Sequence, residues 1–217
     1  GIRFENKNYD EGSYQSAMVD YLGVSHSEII IGNDDIGTNL EDVLWHTEKP
    51  LLRTGPIPLY LLSKLVNQSG YKVVLTGEGA DEIFGGYDIF KEAKIRSFWA
   101  KDPDSKLRPL LLARLYPYIF KDNRLNQTLI AFFKSGIDNP DDPFFSHNIR
   151  WKNTGKIKNF FSEQVKDSNR NYDSFSDLLN LLPENYFDWD TVTKAQFLES
   201  MIFLSNYLLS SQGDRVA

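Results

Sequence analysis

A strand-length apolar run, Tyr71 to Leu75 (YKVVL), passes directly into Thr76-Gly77-Glu78-Gly79 and then into Ala80-Asp81-Glu82-Ile83-Phe84, which has the residues of a helix start. Strand, glycine-rich turn and helix in immediate succession admit few folds. The run predicts a buried parallel strand whose carboxyl end opens onto the amino end of a helix. Glycine lets the backbone approach a ligand closely, and the first helical turn offers amides without intrahelical partners, so the geometry suits an anion such as phosphate. Three carboxylates, Glu78, Asp81 and Glu82, nevertheless stand in or beside the turn with no Lys or Arg among them. They would repel bare phosphate. A divalent cation removes the conflict, because Mg²⁺ takes one or two carboxylates together with phosphate oxygens. The spacing of three lets Glu78 and Asp81 face one ligand while Glu82 turns partly aside, one carboxylate holding metal and the other acting on substrate. The plainer alternative is that Asp81 and Glu82 complement a helix dipole, at about 0.3 to 1 kcal/mol each, and that the glycines merely turn the chain.

The residues ahead of this segment alternate between two periods. Residues 1 to 6 read as a short strand, Tyr9 to Leu22 as a helix stopped by Gly23, and Ser27 to Gly32 (SEIIIG) as a second strand. Asn33 and two Asp then cap a helix through Leu40, Val43 and Leu44, and Pro58 to Asn67 reads as another, with Gly70 past its end. Alternation of this kind predicts an α/β fold, a parallel sheet with flanking helices. After Tyr87 the strand signals fade. Helices are expected over Lys91 to Trp99, Leu107 to Tyr116, Leu125 to Lys134, Phe175 to Leu182 and Thr191 to Ser211, with a long connection or lid near 135–156.

Composition excludes several classes. The chain has 217 residues, 41% hydrophobic and 25% charged, the proportions of a globular fold. Its 24 basic and 30 acidic residues give a net charge of −6, which supplies no basic field for a nucleic-acid partner. The absence of Cys excludes thiol chemistry and disulfides and leans towards a cytoplasmic setting. No apolar run reaches the roughly 18 residues of a membrane span, and the first residues lack a signal-peptide pattern. A start on Gly and an end on GDRVA suggest a piece cut at both ends.

The run LTGEGADEIFGGY, preceded by PLYLLSKLVNQSGYKVV, closely resembles the synthetase domain of glutamine-dependent asparagine synthetases. The likeness extends through IRFENKNYDEGSYQSAMVDYLGVSHSEI and LEDVLWHTEKP, and weakly to FLESMIFLSNYLLSSQGDRVA. The resemblance implies an adenine-nucleotide alpha-hydrolase-like parallel sheet with flanking helices, followed by a mainly α-helical part. It divides the chain into a partial nucleotide-binding core over 1–97 and a helical part of the same domain over 98–217. It further implies an ATP-dependent carbon–nitrogen ligase that uses ATP and Mg²⁺. Such an enzyme adenylates the aspartate side-chain carboxylate and lets ammonia from a glutaminase domain, absent from this chain, attack the β-aspartyl-AMP.

Residue by residue, the resemblance puts Thr76 and Gly77 at nucleotide contacts, and Ile2 at an adenine-side contact. Glu78 falls at the carboxylate that supports adenylation and later takes a proton from ammonia. Asp81 falls at the Mg-pyrophosphate site as a metal ligand, Tyr87 at a position closing over it, and Arg53 near an arginine that contacts the reacting phosphate. The family's Ser-Gly-Gly-x-Asp-Ser loop is missing from these 217 residues, so the piece alone is expected to be inactive. A related amidotransferase acting on another carboxylate and a non-catalytic scaffold remain as alternatives, and the oligomeric state, a homo-oligomer included, is open.

Other residues read more plainly. Lys194 is taken as a surface lysine before a remote phosphate contact. His26, His46 and His147 have no metal-ligand spacing and are taken as ordinary helix-end or loop histidines. The pairs Phe132–Phe133, Phe144–Phe145 and Phe160–Phe161 are expected in the core or against a partner rather than as a base-stacking platform.

Overall fold

The computed structural model describes residues 1–120 and 123–216. The chain divides into two compact units, Gly1–Glu78 together with the segment from Met201 onward, and Gly79–Ser200.

In the first unit β1 (Ile2–Phe4) pairs in parallel with β2 (Ile29–Ile31), in the register Ile2↔Ile29, Arg3↔Ile30 and Phe4↔Ile31. Parallel neighbours need a crossover, which α1 (Gly12–Leu22) supplies; it ends where Gly23 turns left-handed at φ 62°. After β2, α2 (Asn33–Thr38) begins with Asp35 Oδ2 accepting the Gly32 amide at 2.8 Å, and α3 (Leu40–Thr47) follows. Pro56 opens α4 (Pro56–Gln68), a position where its missing N–H costs nothing. The buried core is small: Ile31, Val43, Ile57, Leu61 and Val216.

The second unit is helical. It comprises α5 (Ala80–Phe84), α6 (Asp88–Ala100), α7 (Leu110–Leu115), α8 (Asn123–Lys134), α9 (Asn148–Gly155), α10 (Glu163–Ser168), α11 (Ser174–Leu179) and α12 (Thr191–Leu198). Asp190 caps α12, its carboxylate accepting the amides of Val192 and Thr193. Helix α6 packs against α7 and α12, and Trp99, Leu112, Tyr116, Phe133, Ile137 and Ile149 close the core. Beyond α12 the backbone continues as π-helical Glu199–Leu208 and the short α13 (Leu209–Ser211). The expected single helix from Thr191 to Ser211 therefore changes its hydrogen-bond period.

One expectation is corrected. Tyr71 to Leu75 is not a strand: the only ladder among the described residues is β1 with β2. A strand is made by its neighbour, and β propensity reports fit to a half-buried pleated surface. This run has no such surface, since Val73 is 81% and Leu75 96% exposed. The chain is thus mostly helical with a two-stranded parallel sheet. The stretch 135–156, read as a long connection or lid, has no helix over its first part and ends in one. It holds successive turns to His147 and then α9, and Phe144, Phe145 and Ile149 are buried.

Candidate functional site

The segment singled out by sequence is shaped by its glycines. Gly79 sits at φ 92°, left-handed, and starts α5, whose first bond runs from the Ile83 amide to the Gly79 carbonyl at 3.0 Å. At its other end the Gly86 amide donates to Asp81 O at 2.9 Å, and a Cβ on Gly86 would collide with Asp81 Oδ1. Any larger residue there would require the Asp81 carboxylate to move. With five residues, α5 is too short to carry the dipole of a full helix.

The three carboxylates separate by environment. Glu78 and Asp81 are exposed, whereas Glu82 is completely buried. Glu82 Oε1 accepts the Tyr87 hydroxyl at 3.0 Å, and its Oε2 is buried without a hydrogen-bond partner. Burial pushes the Tyr87 phenol above its ordinary range, and the bond to Glu82 and the negative charges of Glu82, Asp81 and Glu199 push it further. Gln196, on α12, donates to the carbonyls of Ile83 at 2.8 Å and Glu82 at 3.3 Å, tying down the carboxyl end of α5. Sequence reasoning turned Glu82 partly aside and passed over Gln196. Alternation of acid and apolar residues around Ile83 carried a hint of the first, but nothing local signals the second, which lies 113 residues from Ile83.

Thr76, Gly77 and Glu78 close the first unit, all exposed, and Asp81 and Tyr87 belong to the second. Ile2 lines a cavity of 770 Å³ at the carboxyl ends of β1 and β2, with Phe4, Glu5, Ile31, Gly32 and Asn33 on its walls. Arg53, Thr76, Gly77 and Glu78 are not among its lining residues. Gln15 reaches into the same wall, donating to Ile2 O at 2.7 Å, and its Oε1 is buried without a partner. Arg53 lies over the rings of Phe203 and Tyr207, 5.5 and 5.7 Å from their centres, a cation–π position that holds its guanidinium on an aromatic face.

The remaining residues resolve simply. Lys194 donates to Phe187 O at 3.1 Å, a structural contact. His147 stands at the amino end of α9, a helix-end position, and is buried there with Nε2 2.9 Å from Glu199 Oε1 and Nδ1 2.8 Å from Ser146 Oγ. Among the described residues no three His, Cys, Asp or Glu side chains gather in a metal-holding group. No helix of the described residues is long and apolar enough to cross a membrane.

An asparagine synthetase of pea nodules, glutamine-hydrolysing, is 37% identical over 95 residues, which are 43% of this chain and 16% of that protein. Asparagine synthetase 1 of Bacillus subtilis is 33% identical over 91 residues, 42% of this chain and 14% of the relative. A Penicillium rubens protein named amidase chyE is 34% identical over 87 residues, 40% of this chain and 13% of its own. The matched segments are thus a small share of each relative's length. No solved structure matches. The model of the asparagine synthase family matches residues 1–217, from the first strand to the last residue, and the chain belongs to that family.

Proposed function

We propose that this chain is part of an ATP-dependent asparagine synthetase with the adenine-nucleotide alpha-hydrolase type of fold. The observation that carries the reading is the sorting of carboxylates in LTGEGADEIFGGY: Glu78 and Asp81 are exposed while Glu82 is folded in against Tyr87. Two exposed carboxylates beside a glycine turn suit a reaction that uses a divalent cation and a proton acceptor.

In this reading the aspartate side-chain carboxylate attacks the α-phosphate of ATP and releases pyrophosphate. Ammonia then attacks the β-aspartyl-AMP and releases AMP. Glu78 supports formation of the acyl-adenylate, the step that pyrophosphate exchange reports, and afterwards accepts a proton from the attacking ammonia, a role that requires a carboxylate within hydrogen-bond reach of the amine. Thr76 and Gly77 take the nucleotide, and a Cβ at Gly77 would meet no protein atom, which leaves that side open. Ile2 offers an apolar contact for the base in a cavity that has carboxylates but no Lys or Arg on its walls, a lining suited to the nucleoside rather than the phosphates. Arg53 and Tyr87 serve the phosphate side. Magnesium fits the hard oxygen donors present. With no group of three acidic or histidine ligands among the described residues, Asp81 would hold it in company with substrate oxygens, where it would neutralise the charge of the leaving pyrophosphate.

The test is aspartate-dependent exchange of labelled pyrophosphate into ATP by the full protein. We expect exchange that is lost, by about 100-fold or more, in Glu78→Gln. Exchange that survives the substitution would remove Glu78 from the chemistry. A protein that binds Mg-ATP but exchanges only with a different acid would support the second reading, an amidotransferase for another carboxylate. A relative named amidase chyE matches over a comparable share of the chain, so the likeness is not confined to proteins named asparagine synthetases.

A further inference from the structure

The second unit contains a cavity of 240 Å³ lined by none of the residues discussed above for the synthetase chemistry. Arg96, on α6, forms one wall and is 1% exposed. Its guanidinium lies on the Phe145 ring, 4.3 Å from the centre. It donates from Nε to Phe133 O at 3.0 Å, from Nη1 to Phe145 O at 2.7 Å and from Nη2 to Ser135 O at 2.8 Å. All three acceptors are neutral carbonyls, whereas a guanidinium has five N–H groups. The nearby carboxylate of Glu92 is committed elsewhere, to Arg150 and the Tyr116 hydroxyl. Burial pulls Arg96 down to about 10, so it remains a cation at neutral pH.

Asn148, also buried, lines the same cavity. Its Nδ2 donates to Asp142 Oδ2 at 2.6 Å, and Asp142 Oδ1 accepts the Phe144 amide at 2.8 Å. That pairing settles which way the amide points and leaves Asn148 Oδ1 buried with no partner. An unmet buried acceptor is costly. Asp138 and Lys152 stand exposed on the rim. Two cations, Arg96 and Lys152, therefore share the wall with two carboxylates, Asp138 and Asp142. A bare anion would meet both carboxylates, and a bare cation both basic groups.

We propose that this cavity binds a free α-amino acid as its zwitterion, with the carboxylate towards Arg96 and Lys152 and the ammonium towards Asn148 Oδ1 and Asp138. At about 30 Å³ per water, the volume equals that of roughly eight waters, room for a small amino acid but not for a nucleotide. The inference is independent of the synthetase reading.

The experiment is titration of the full protein with glycine, followed by calorimetry or by NMR shifts of the Asn148 side-chain amide, with acetate and methylammonium as the two half-ligands. Saturable binding of glycine is expected, with each half-ligand much weaker. Lys152→Ala and Asp138→Asn, both at exposed positions, should each weaken glycine about five- to tenfold. The proposal is overturned if glycine does not saturate, if acetate alone binds as well as glycine, or if glycine binding ignores both substitutions.

Discussion

The two units bury different things. Among the described residues every buried charged side chain lies in the second unit: Glu82, Glu92, Arg96 and Glu199, with His147 beside the last. The first unit buries apolar residues and the uncharged Thr47, Ser211 and Gln212, and keeps its shortest ion pair, Arg3 with Asp10 at 2.7 Å, near the surface. A charge can stay out of water only if specific partners replace its hydration. The second unit supplies them: Glu92 takes Arg150 at 2.8 Å and Tyr116 at 2.7 Å, and Arg96 takes three carbonyls. Its packing is therefore specified by polar geometry as well as by volume, while the first unit relies on a small apolar core and two short strands.

The largest effect expected from this contrast is at Glu92. Glu92→Ala leaves Arg150 and Tyr116 without their shared acceptor and should cost about 3 kcal/mol, read from the urea midpoint; the figure is at the low end for a buried pair because Arg150 is 38% exposed. A change below about 1 kcal/mol would show that the web contributes geometry but little stability. Next comes Tyr87→Phe, which removes the hydroxyl that Glu82 Oε1 accepts from. A loss of about 1 to 3 kcal/mol is expected, since the buried carboxylate then has no donor on that oxygen either.

In the first unit the effects should be smaller. Hydrogen bonds from Arg3, and then from the amides of Phe4 and Gly12, hold the Asp10 carboxyl down at about 2. A carboxyl depressed on folding contributes stability that is present above its unfolded value, near 4, and is lost as pH falls through about 2. Unfolding midpoints between pH 5 and pH 2 should therefore fall less steeply in Asp10→Asn than in the parent, and equal slopes would show the pair to be inert. The smallest effect is at Leu75. With the side chain 96% exposed, Leu75→Lys should change stability by no more than about 0.5 kcal/mol. A loss of 2 kcal/mol or more would mean that this residue is packed as the apolar run in the sequence first suggested.

Much of the local structure was legible beforehand. The two strands, the helices on either side of them, the stop at Gly23 and the proline-led start of α4 follow from short-range rules about periodicity, caps and φ. The Tyr71 to Leu75 run misled because a strand's existence depends on a partner that its own residues do not encode. Glu82 was underrated for a related reason: its burial depends on Tyr87 turning inward and on Gln196 holding α5 from a distant helix.

By itself the amino-acid sequence determined where chain segments can turn, which stretches favour helix, and the string of residues that places the protein in its family. Each depends on neighbours within a few positions or on the order of residues. Tertiary structure alone decided which carboxylate is buried, that Arg96 has carbonyls rather than a carboxylate for company, and that His147 meets Glu199 across 52 residues. Those outcomes are set by desolvation and by long-range pairing, which exist only once the chain has closed on itself.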